Sequence, residues 1–241
     1  MSATPSTPGS FALLGIGVLG PGEGVRRVAV PSLKISSAGV VITELGAFPG
    51  ETTFSSDQTG VAPFPLGPDT HVAALGDRFV VGTAETEEYR RYAPDGGLEQ
   101  LVRWPPSDTI LTESDRSAWE SFLGDWLGAM PRQEAASIQE ILDVIPDPAR
   151  RPAYSGLVTS DAGEVWVGDY HPGQLELGSA YMGRLPVPER KWLVFDQNGT
   201  LESTVRTPDG FRPFTVENGK VWGVHTDDLD VESVRAYEIV R

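Results

Sequence analysis

The chain has 241 residues, with 34 acidic against 19 basic side chains and a formal net charge of −15. A surface of that sign repels nucleic-acid phosphates and anionic lipid head groups, which disfavours nucleic-acid binding. The absence of cysteine excludes disulfides, thiolate zinc sites and a thiol nucleophile, and no apolar run approaches the length of a membrane span.

Residues 1–10, rich in Ser, Thr and Pro, lack the basic start and apolar run of a signal peptide. Residues 11–18 read as a strand, and a Gly/Pro loop over 19–24 follows. A second strand is expected over 26–35, where Pro31 argues for an edge position or a bulge. The turn Ser36-Ser37-Ala38-Gly39 leads to a third over 40–45. This unit, about 10–46, lacks a clear first strand, and a loop over 46–69 separates it from the next.

The unit over 70–104 has all four strands. Residues 71–75 turn at Gly76-Asp77 into 79–82, and 88–92 turn at Pro94-Asp95-Gly96-Gly97 into 98–104. The period then changes from two to that of a helix. Thr112 and Asp115 fit a capping box, and Trp119, Phe122, Leu123, Trp126, Leu127 and Met130 fall on one helical face. Pro131 opens a second helix with an Ala135, Ile138, Ile141, Leu142, Ile145 stripe, which ends at Pro146 and Pro148. A helical hairpin over 112–146 is thus inserted between strand units, and its stripe is expected to pack down on the sheets.

The unit over 154–207 is the clearest. Residues 157–160 turn at Asp161-Ala162-Gly163 into Glu164-Val165-Trp166-Val167. After a loop over 171–189, Lys191-Trp192-Leu193-Val194-Phe195 turns at Gln197-Asn198-Gly199 into 201–206. The last unit, 211–241, has Phe214-Thr215-Val216, the Asn218-Gly219 turn, residues 221–225 and residues 234–240, and no fourth strand. Repeats of about 40 to 50 residues built from four short strands are the mark of a β-propeller. The expected fold class is therefore all-β, a propeller of four-stranded antiparallel blades with a helical insertion.

The series GDRFVVGTAETEEYRRYAPDGGLEQLVRWP, AGEVWVGDY, RKWLVFDQNGTLESTV and GFRPFTVENGKVWGVHTDDLDVESVRAYEIV resembles uncharacterised bacterial six-bladed β-propellers of the NHL/TolB-like type. The resemblance implies blades punctuated by D-x-x-G turns, and a last blade completed by a strand from the N-terminus. About four units are present, with the first lacking its innermost strand. Either the chain is the C-terminal part of a six-bladed disc, the favoured reading, or it is a small closed four-bladed disc. An incomplete N-terminus would favour a periplasmic or secreted location.

Successive antiparallel strands alternate ends, so the short turns gather on one face and the long connections on the other. Binding residues are expected among the long loops. His71, Tyr170, His171 and His225 are the candidate ligand-binding residues of that face. Asp169, His171, His225 and Asp228 offer nitrogen and oxygen donors for Ca²⁺ or another divalent cation, and propellers similar to this one include metal-dependent lactonases and esterases. Asp227, Asp228 and Asp230 also read as a solvated turn and the histidines as ordinary loop residues, while Tyr154, Tyr170, Tyr181 and Trp104 could line a ligand cleft but read better as packing between sheets. Asn198-Gly199-Thr200 matches a glycosylation sequon but is needed for its hairpin turn. No Gly-x-Ser-x-Gly elbow or glycine-rich phosphate loop is present. No catalytic residue is assigned. The leading expectation is a cofactor-free binding module for a protein, peptide or saccharide, and the alternative is a metal-assisted hydrolase or lactonase on the same face.

Overall fold

The computed structural model describes residues 2–5, 10–14, 22–36, 38–57, 60–170, 189–229 and 231–240. Among them the strands form four antiparallel sheets that follow one another in chain order, with two helices between the second sheet and the third.

The first sheet contains β1 (Ser2–Pro5), β2 (Ser10–Leu14), β3 (Gly24–Ser36), β4 (Val41–Ser56) and β5 (Gly60–Pro63), neighbours in that order. It corrects the expected unit of 10–46 at both ends. The loop expected over 46–69 is largely strand: β4 runs on to Ser56, and β5 pairs with it, Thr53 opposite Pro63 and Ser56 opposite Gly60. Gly46, Pro49 and Gly50 read as loop punctuation, but here they serve bulges. The β3–β4 register shifts between Arg27 and Ala29 and between Ser32 and Leu33, and Gly46 takes a φ of 109° that favours glycine. At the other end β1 pairs with β2, Ala3 opposite Leu13, so the N-terminal strand joins the first sheet and not the last. The local hairpin closes a far shorter loop than a crossing to the fourth sheet. Among the described residues Pro31 lies beyond the β2 pairing, which covers Ser32–Ser36 of β3, so no described ladder bond on that side needs its N–H.

The remaining strands lie where alternation and turn chemistry place them. The second sheet has β6 (His71–Leu75), β7 (Arg78–Gly82), β8 (Glu88–Tyr92) and β9 (Leu98–Arg103). The third has β10 (Gly156–Thr159), β11 (Val165–Gly168), β12 (Arg190–Phe195) and β13 (Leu201–Thr207). The fourth has three strands, β14 (Phe211–Glu217), β15 (Lys220–Thr226) and β16 (Glu232–Glu238).

Each sheet packs on the next through alternate side chains of its strands. Leu45 and Phe48 of the first meet Phe79, Val81 and Tyr92 of the second. Val80, Tyr89 and Val102 meet Tyr154, Val165 and Phe195. Val158, Trp166 and Trp192 meet Phe211, Val216 and Val221. The first strands are adjacent in series, β6 beside β1 and β2, β10 beside β6, and β14 beside β10. Among the described residues no apolar cluster joins the fourth sheet to the first, and a closed ring is not seen. Arg27 ties β3 to the β7–β8 connection, its guanidinium donating to Glu85 at 2.7 Å and to the carbonyls of Gly50 and Thr83.

The helices are α1 (Glu113–Gly128) and α2 (Arg132–Leu142). The capping box is formed: the Thr112 hydroxyl accepts from the Asp115 amide at 3.1 Å, and the Asp115 carboxylate accepts from the Thr112 amide at 2.9 Å. Among the described residues no helix is long and apolar enough to cross a membrane.

Candidate functional site

The short turns, such as those at Gly76, Gly163 and Gly219, gather at one end of the sheets, and the longer connections leave from the other. At that second end His71 opens β6, Tyr170 follows β11 and His225 lies in β15, so the three stand on three successive sheets. The His71 ring lies 5.8 Å from that of Tyr154. Tyr154 belongs to the core: its hydroxyl accepts from the Ala84 amide at 3.1 Å and donates to the Glu88 carbonyl at 3.0 Å. Burial pushes its pKa above the ordinary phenol value, as it does for Tyr89. Trp104 packs on Tyr154 and Phe195 at 5.7 and 5.1 Å, so both aromatic residues join the sheets and do not line a cleft.

His225 sits opposite Phe211 and Ser233, and its Nδ1 is covered without a hydrogen-bond partner among the described residues. The Asp227 carboxylate accepts from the amides of Leu229 and Val231, both at 2.9 Å, which holds its carboxyl below the usual range. Asp227 therefore organises a turn, with Asp228 exposed beside it. The Asp169 carboxylate accepts from the Tyr170 amide at 3.0 Å. Among the described residues no three His, Asp or Glu side chains gather into a group that could hold a metal ion, Asp169, His225 and Asp228 included. His171, Tyr181 and Asp230 lie outside the described residues.

Tyr170 has a different setting from the histidines. The Arg151 guanidinium lies over its ring at 5.5 Å, and its hydroxyl is covered without a partner among the described residues. Burial raises its pKa, Arg151 opposes the shift, and Asp115 in the first turn of α1 adds to it. Tyr170 thus stands where the third sheet meets the base of the helical hairpin. That base is pinned: Ile110 bridges Arg150, the Leu111 amide reaches the Ala149 carbonyl at 3.3 Å, and the Arg151 amide reaches Thr109 at 2.9 Å.

Above the base the hairpin departs from expectation, because its stripe does not pack down on the sheets. Among the described residues α1 packs beside α2, and no residue of either is buried. Trp119 and Phe122 stack at 5.7 Å between ring centres, and Trp119, Phe122, Leu123, Trp126 and Leu127 are only partly covered. The Trp126 indole N–H is covered but has no acceptor among the described residues. The stripe is therefore partly covered, neither buried against the sheets nor fully exposed.

A cleft of about 910 Å³ opens at the short-turn end, between the second and third sheets. Arg78, Arg91, Glu99, Asp161, Gln197 and Asn198 line it. Its charges are largely satisfied internally: Arg78 pairs with Glu99 at 2.9 Å and with Asp77 at 3.0 Å, Arg91 donates to the Gln197 carbonyl at 2.7 Å, and Asp161 accepts from the Asn218 amide at 2.9 Å. The sequence places Asp161, Gln197 and Asn198 in turns and Arg91 and Glu99 in strands, but does not bring them together as the walls of one groove.

No family model and no curated protein matches the chain. Among solved structures it is similar to the crystal structure of a member of the DUF4221 family from Bacteroides vulgatus. The identity is 8%, over 89% of this chain and 76% of that one, and the TM-score is 0.36. A likeness this slight carries neither fold nor function, and what stands is the β-rich architecture of successive antiparallel sheets.

Proposed function

We propose that the chain is a non-enzymatic binding module of propeller type that recognises a basic, amphipathic protein segment through the seam of its helical hairpin. The observation that carries this reading is the apolar stripe of α1 and α2, partly covered but nowhere buried, set in an acidic frame. Between residues 112 and 147 there are eight acidic and two basic side chains. A partner helix laid along the seam would cover Trp119, Phe122 and Trp126, at about 25 cal/mol per Å² of apolar surface removed from water. Its lysines and arginines would face the acidic rim, favouring fast and salt-sensitive association.

The scaffold supports the same reading. Antiparallel meanders whose first strands are adjacent in series agree with propeller-type blades, and such a stack gives the hairpin a stiff base. His71, Tyr170 and His225 lie at the end from which the hairpin rises, and in this account they flank the bound segment.

The test is a titration with a synthetic Leu/Lys amphipathic helix, read by tryptophan emission. Saturable binding is expected, weakened at high salt and lost on combining Trp119→Ser with Trp126→Ser. A saturation curve that the double substitution leaves unchanged, or no saturable binding at low salt, overturns the proposal.

A further inference from the structure

The strand repeats place Val80, Trp166 and Trp222 at matching positions of the second strands β7, β11 and β15. All three project from the face directed toward the next sheet in the chain. The third sheet covers Val80 and the fourth covers Trp166, and each is 0% exposed. No described sheet follows the fourth, and Trp222 is 37% exposed. Around it on the same face stand Val224, opposite Val234 of β16, and Ala236, opposite Trp222 itself. Val234 is 67% exposed, and Phe214, thrown out by the bulge between Pro213 and Thr215, is 53% exposed. The fourth sheet therefore presents to solvent the kind of surface that its predecessors bury.

We infer that this face is a self-association surface, on which a second copy of the chain packs its own fourth sheet about a two-fold axis. Two observations select a second copy. First, the face continues a series of sheet-on-sheet contacts already made within the chain, and an identical sheet has a matching apolar centre. Second, its charge suits self-pairing. It carries Arg212 and Lys220 against Glu217, Glu232 and Glu238, one net negative charge in a chain of −15. Arg212 and Glu232 pair at 2.9 Å toward one end, and Lys220 lies 4.0 Å from Glu238 toward the other. Either two-fold arrangement can thus set opposite charges across the contact, whereas the acidic remainder of the surface repels its like. β16 pairs only with β15 among the described residues, which leaves a strand edge beside the same face.

Sedimentation of the unaltered chain from about 1 to 100 μM tests the inference, since weak dimers fall in that range. A reversible species of twice 26.0 kDa is expected. Trp222→Ser and, separately, Val234→Asp should each weaken dimerisation by roughly tenfold or more, with the far-ultraviolet circular dichroism of the sheets retained, since neither residue is buried. Val61→Asp, also exposed but on β5, should leave the dimer intact. A monomer throughout the range, or a dimer indifferent to Trp222→Ser and Val234→Asp, overturns the inference and leaves the face to a partner of another kind.

Discussion

The Tyr154 hydroxyl occupies the space above Gly82: a Cβ added at that glycine would lie 1.9 Å from the hydroxyl oxygen. Gly82 ends β7, and Tyr154 leads into β10, so the second and third sheets meet at a point where one chain has no side chain and the other has a large one. The two hydrogen bonds of the hydroxyl, to Ala84 and Glu88, then hold the β7–β8 connection against the third sheet.

Gly82→Ala should therefore destabilise the fold by about 2–4 kcal/mol, from overpacking together with loss of the tyrosine's hydrogen bonds. Tyr154→Phe alone should cost about 1–2 kcal/mol. Because the clash is with the hydroxyl, Gly82→Ala should cost distinctly less in the Tyr154→Phe background than in the parent. Denaturant midpoints of the four chains give this coupling directly. Strict additivity would mean that the two residues do not share the contact.

Alkaline pH should unfold the chain through its buried phenols. Burial raises the folded pKa values of Tyr89 and Tyr154 above the ordinary 10.0. A raised folded pKa gives stability that is complete below the unfolded value and is lost as pH rises from there toward the folded value. Denaturant midpoints should accordingly hold steady to about pH 9 and fall above about pH 10. Tyr154→Phe should flatten that fall. An equally steep fall in the variant would remove Tyr154 from the explanation.

Acid acts through a carboxylate on the same sheet. The Arg103 guanidinium, bonded at 2.9 Å, holds the Glu88 carboxyl below its ordinary 4.5, with burial opposing and Arg90 assisting. A depressed folded pKa gives stability that is present above the unfolded value and is lost as pH falls through the folded one. Glu88→Gln should reduce the loss of stability below pH 4.5, by under about 1 kcal/mol because both arginines are solvated. An acid titration of the melting temperature that is unchanged by the substitution would contradict this.

The sheets were legible because their signals are local. Asp161-Ala162-Gly163 and Asn198-Gly199 fix hairpins whatever surrounds them, and residues 164–167 and 191–195 alternate between two buried faces. The first sheet was partly misread because Gly46 and Pro49, which usually end strands, can also sit in bulges of a long one, a choice made by the pairing partner β3. The helices were legible from their cap and period, but their docking was not. A stripe such as Trp119, Phe122 and Trp126 shows that an apolar face exists, and only the three-dimensional arrangement shows how little of it the sheets cover. The cleft at Arg78 and Asn198 was hidden for the same reason, since its walls come from strand ends and turns distant in sequence.

Excision of the hairpin separates its role in binding from that of the sheets. The bridge between Ile110 and Arg150 holds the hairpin ends together, so residues 112–147 can be replaced by a short Gly/Asn turn. The shortened chain should keep its β-sheet circular dichroism and cooperative unfolding, since no helical residue is buried, and should no longer bind the basic amphipathic helix. Unaltered binding by a folded shortened chain would contradict the account, and so would collapse of the sheets on removal of the hairpin.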